Sequence, residues 1–245
     1  MDPESRGAEM FARYAHAPNA LGYCGPPLGA TLQDGSVAEV REAAMKFSGA
    51  WPYLRVLAKM TGISDPLDYR LVESYWLGGG AGANLDAGEF FDALLAIIGP
   101  QAGKYWSHLT PDLAREAAGN HCFHVFGVYP WTRFLGGGMD EQPLRVLNYC
   151  RIAWGTVLYR GSDNVEVMCQ GLAWDGRSLT LSEPSARVLD VWADGYSAVP
   201  DLAVNDEVAI HWGRLCGRLR PDQIEALADS TTRQLHVTNQ RLARV

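Results

Sequence analysis

Lysine is scarce in this chain: Lys46, Lys59 and Lys104 stand beside eighteen arginines and 28 acidic residues. The formal net charge is −7 and no basic stripe appears, which excludes nucleic acid and anionic membrane surfaces as expected partners. Long apolar runs are also missing. The longest, Phe90 to Ile98, is the size of a core helix and falls short of a membrane span. The opening Met-Asp-Pro-Glu-Ser-Arg has neither the basic nor the apolar region of a secretory signal. Paired cysteine motifs are absent. The thiols Cys24, Cys122, Cys150, Cys169 and Cys216 are odd in number and widely spaced, a pattern of a reducing compartment rather than a disulfide framework. The expectation is a soluble, cytoplasmic protein.

Common catalytic signatures are lacking as well. There is no His-Glu-x-x-His, no Cys-x-x-Cys pair and no nucleophile elbow. Gly78-Gly-Gly-Ala-Gly-Ala83 lacks the Lys-Ser/Thr of a phosphate-binding loop and reads as a linker.

What is present divides the chain in two. Ala38 to Phe47 and Pro52 to Met60 carry apolar residues at helical spacing. Asp65-Pro66 opens another helix that Gly78-Gly79-Gly80 ends, and Leu85 to Ile98 forms one closed by Gly99-Pro100. Gly136-Gly137-Gly138 reads as a hinge near the domain boundary. Beyond Tyr149 the texture becomes short alternating runs: Val165, Val167 and Cys169 share one parity, and Val208, Ile210 and Trp212 share another. Asp175-Gly176 is a hairpin signal, and Pro221 starts a last helix with an apolar stripe through Ile224, Leu227, Leu235 and Leu242. The predicted fold is α+β: a helical domain over 1–147, then a small OB-like β-barrel with a C-terminal helix over 148–245.

Cys150, followed by Arg-Ile-Ala-Trp-Gly-Thr-Val, and His211, in the strand Glu207-Val-Ala-Ile-His-Trp-Gly213, are the leading candidate site. A thiolate and an imidazole together suit a late transition metal or low-spin iron. Arg151 beside the thiol would favour thiolate. His211 has the parity opposite to Val208 and Ile210, so it should face away from the barrel core. His121 and His124, at i and i+3 on one helix face, form a second candidate metal pair, with Cys24 from the turn-rich segment Asn19 to Pro27 as a third member.

The stretch from Cys150 to about Leu235 resembles the HypC/HupF hydrogenase-formation chaperones. Cys150, Gly155 and Val157 match the opening of that family, and Val204-Asn-Asp-Glu-Val-Ala-Ile-His-Trp-Gly213 matches its valine-rich strand with histidine and glycine. Trp154 stands where the family usually has proline. The N-terminal part resembles uncharacterised bacterial proteins that accompany hydrogenase gene clusters. The resemblance implies a chaperone without small-substrate turnover. It would transiently hold an iron precursor ligated by cyanide and carbon monoxide, through Cys150 with His211 as second ligand. Its partners would be the immature large subunit of a nickel–iron hydrogenase and other maturation proteins, with Arg151 and Trp154 as client contacts. The alternatives are a metalloenzyme centred on His121 and His124, and a barrel that serves only as an interaction scaffold.

Overall fold

The computed structural model describes residues 3–102 and 108–244. The fold is α+β, with a helical N-terminal part, an antiparallel sheet and a C-terminal helix. Helix α1 (Pro3–Ala20) buries Met10, Phe11, Tyr14 and Ala15 against α2 (Gly29–Asp34), α3 (Val37–Ala44) and α5 (Tyr69–Leu77). Gly7 is required there: a Cβ would lie 1.8 Å from the Leu67 carbonyl oxygen. Ser36 and Glu39 close a capping box on α3. Helix α4 (Ala50–Thr61) ends on Gly62 in the left-handed region, the usual glycine stop. Asp68 caps α5, three residues past the predicted Asp65-Pro66 start, and Gly78 follows its end as the sequence predicts. Helix α6 (Ala87–Ala102) runs on through Gly99-Pro100, past the predicted stop.

A three-residue helical turn, α7 (His121–Phe123), passes directly into a π turn over His124–Val128. Helix α8 (Glu141–Cys150) then leads into the sheet. Its buried residues Pro143, Val146, Leu147 and Cys150 fall at i, i+3, i+4 and i+7, one apolar stripe. Cys150 is therefore the last residue of a helix, rather than the first of a strand near a mobile hinge.

Strands β1 (Ala153–Arg160), β2 (Asn164–Cys169), β5 (Ser185–Asp190), β6 (Glu207–His211) and β7 (Arg214–Arg218) form one sheet in the order β5-β2-β1-β6-β7. All of its pairings are antiparallel. Strands β3 (Leu172–Trp174) and β4 (Leu179–Leu181) make a separate hairpin around the Asp175-Gly176 turn. Gly155 sits opposite Cys169, where a Cβ would come within 2.3 Å of the Met168 carbonyl oxygen. The two faces of the sheet bury different things. Val157, Val165, Val167, Val208, Ile210 and Leu215 form their own core, whereas Ala209 and Cys216 join the helical core. Helix α9 (Pro221–Leu242) packs Leu227 into the helical core and Leu235 against α8 residues and Trp212. The cores thus cross residue 147, joining Phe11 with Cys216 and Ala17 with Leu235. Among the described residues, no helix is long and apolar enough to cross a membrane.

Candidate metal centre

Three side chains from three elements converge beneath the sheet. His121 comes from α7, Cys150 from the end of α8 and His211 from the end of β6, and their ligand atoms all lie within 4.8 Å of one another. All three are buried. His211 faces away from the sheet's own core, as its parity requires, yet is only 1% exposed. The helical layer covers that face: the His211 ring lies 5.7 Å from Trp76 and 5.1 Å from His121.

The hydrogen bonds select the tautomers. The His211 Nδ1–H donates to the Tyr14 carbonyl at 2.8 Å, while Nε2 is buried near the Cys150 backbone without reaching hydrogen-bond geometry. The His121 Nε2–H donates to the Cys150 carbonyl at 2.8 Å, and its Nδ1 accepts from the Tyr75 hydroxyl at 3.2 Å. Each imidazole therefore gives one N–H to a backbone carbonyl, the outer-shell arrangement that fixes ring orientation in metal-ligating histidines. To coordinate through Nδ1, His121 has only to release the Tyr75 hydroxyl.

Burial sets the protonation states. Desolvation pushes His211 down to about 4 and His121 well below its ordinary value, where the neighbouring imidazoles add to the effect. Both rings are neutral at pH 7, the state a metal requires. Desolvation also drives the Cys150 thiol well above its ordinary value. The proximity of Arg151 in sequence does not reverse this, so the metal-free residue is a neutral thiol. The Trp212 indole N–H lies near enough to favour the thiolate slightly, without reaching hydrogen-bond geometry.

Trp212 is itself unusual. It and Gly213 form the two-residue turn between β6 and β7, both with positive φ (51° and 72°). Such turns favour Asn-Gly, and a bulky aromatic at the first position is strained. Stacking on Tyr23, with centroids 3.8 Å apart, and on Tyr149 at 6.1 Å holds the ring in place.

The second candidate set meets the first. His121 and His124 stack at 5.8 Å, but His121 joins Cys150 and His211, and His124 stays outside the trio. His124, pushed down to about 4 by burial, has an unpartnered Nδ1. It lines a cavity of about 60 Å³ together with His121, His211, Tyr75, Tyr129 and Cys24. The Cys24 thiol lies 3.8 Å from the Tyr129 hydroxyl and is raised by desolvation. A cavity of that size admits a few water-sized groups beside the trio. Of the expected client contacts, Arg151 is buried and Trp154 is half-buried against the helical core. Tyr75, Trp212 and the Tyr14 carbonyl complete the surroundings and carry no sequence signal of their own.

One thiol and two imidazoles can hold zinc, copper or iron, with room for further ligands. Nothing matches the chain among curated proteins, and nothing among solved structures. One family profile covers residues 3–245, almost the whole length, and its description is "Family of unknown function (DUF6390)". The chain therefore belongs to the DUF6390 family.

Proposed function

We propose that this protein holds a late transition metal at His121, Cys150 and His211, and that it does so as a cytoplasmic chaperone in nickel–iron hydrogenase assembly. The observation that carries the metal-binding reading is the convergence of a thiol and two carbonyl-oriented imidazoles within 4.8 Å in the buried interior. The hydrogenase part rests on the resemblance of the Cys150-to-Leu235 stretch to HypC-type chaperones, whose paired cysteine and histidine fall on two of the three residues. On this reading the five-stranded sheet and the β3–β4 hairpin correspond to the small OB-like barrel of those proteins. The cargo would be iron carrying cyanide and carbonyl ligands, and the partners the immature large subunit and its other maturation proteins. His121 extends the two-residue expectation by a third ligand from the helical part.

The test is metal analysis and infrared spectroscopy of protein purified anaerobically from its native host, beside Cys150→Ala. The proposal expects stoichiometric metal with cyanide and carbonyl stretches in the wild type, both lost in the variant. Metal without those bands would retain the site and refute the iron-precursor cargo. No metal, and none taken up on reconstitution, would refute both.

A second reading, a metalloenzyme, is favoured by the cavity beside the trio, where unpartnered His124 faces room for a small reactant. Turnover of a small molecule by the metal-loaded protein would select it over stoichiometric handover.

A further inference from the structure

Arg151 is among the largest fully buried side chains of the protein, 2% exposed. It gives one N–H to the Gln170 carbonyl, while its Nε is buried with no acceptor. Arg187, from β5, lies near enough to act on Arg151 electrostatically. A guanidinium keeps its charge in proteins. Among the described residues no carboxylate pairs with either arginine. The other side chains that interact electrostatically with Arg151 are two thiols, Cys122 and Cys169, and no carboxylate. Two like charges, one of them buried, stand together without a counter-charge, and that arrangement is costly unless an anion compensates it.

Both arginines line the same cavity, of about 530 Å³, which includes none of the metal trio in its lining. Its walls combine the Asn148 amide with Leu189, Ile210 and Trp212. Gly171 makes room for the Arg187 guanidinium, since a Cβ there would lie 2.7 Å from Nη2. A guanidinium fork matches a carboxylate or phosphate in geometry as well as charge.

We infer that this cavity is a binding site for an oxyanion, a carboxylate or phosphate borne on an apolar body, with Arg151 at its floor and Arg187 at its wall. The site stands apart from the metal reading, because neither arginine belongs to the trio.

The test is calorimetric and ligand-observed NMR titration of the full chain with three probes: phenylacetate, phenyl phosphate and neutral phenylacetamide. Saturable binding of at least one anion is expected, with no binding of the amide. The tighter anion identifies the source class. Arg187→Gln, at a half-exposed strand position, should weaken binding about tenfold or more. Arg151→Met should abolish it; if that variant does not fold, Arg187→Gln carries the test. The inference is overturned if the amide binds as well as the acids, if neither anion saturates at millimolar concentration, or if Arg187→Gln binds like the wild type.

Discussion

Metal uptake by the trio must expel one proton, and that fixes how affinity depends on pH. His211, held down to about 4, and His121, held well below its ordinary value, have no proton to lose above pH 6. The Cys150 thiol, raised by burial, keeps its proton across the neutral range, yet only the thiolate is a ligand. Each pH unit should therefore strengthen binding about tenfold, or about 1.4 kcal/mol. Between pH 6 and pH 8 the gain is about 100-fold, about 2.7 kcal/mol. Chelator competition with zinc at a series of pH values reads the slope, and proton release in weakly buffered solution counts the proton directly. Cys150→Ser should bind far more weakly and show no slope. A slope near zero in the wild type would refute the reasoning, since the thiol would then be no ligand or already ionised. A slope near two would bring in a second thiol, with Cys24 of the adjoining cavity the candidate.

Further outcomes follow from the same geometry. The metal-free protein should lose stability as pH falls from about 6.5 toward 4. His121, His124 and His211 are depressed when folded, so the unfolded chain binds more protons throughout that window. The loss is up to about 1.4 kcal/mol per pH unit for each histidine, and urea midpoints that stay flat with pH would contradict it. Trp212→Asn relieves a strained turn position, worth about 1–3 kcal/mol, but forfeits a buried indole worth about 3–5 kcal/mol. A net destabilisation is expected in thermal unfolding, and a gain would show that strain outweighs stacking. Gly155→Ala forces a methyl group against the Met168 carbonyl and should cost on the order of 2–4 kcal/mol; an unfolding midpoint within error of wild type would count against the β1–β2 register described above.

How much of this was legible in the sequence depends on the kind of signal. Alternation in Val165–Cys169 and Val208–Ile210 marked the strands, and the same parity correctly turned His211 away from the sheet's core. Parity could not reveal that helices cover the opposite face and bury it. Cys150 stands out in the sequence as a thiol of interest, at the edge of the alternating segment. The stripe from Pro143 to Cys150 has helical period, and it carries the thiol into the interior. His121 was paired with His124 because a regular helix puts i and i+3 side by side. The rings do stack, but long-range packing hands His121 to Cys150 and His211. Helix α1 is hard to read in the sequence because Ala8, Ala12 and Ala15 dilute the buried Met10, Phe11 and Tyr14, and because Gly7 and Pro18 resemble breakers. Gly7 serves close packing rather than a turn. The Tyr14 and Cys150 carbonyls, which orient both imidazoles, are backbone groups present at every position, so no sequence pattern announces them.

The most direct test of the central claim is X-ray absorption at the metal edge of the loaded protein. The account expects one sulfur scatterer near 2.3 Å and two imidazole nitrogens near 2.0–2.1 Å for zinc, with the sulfur lost in Cys150→Ser and one imidazole lost in His211→Gln. A first shell without sulfur, or one unchanged in both variants, would place the metal elsewhere and contradict it.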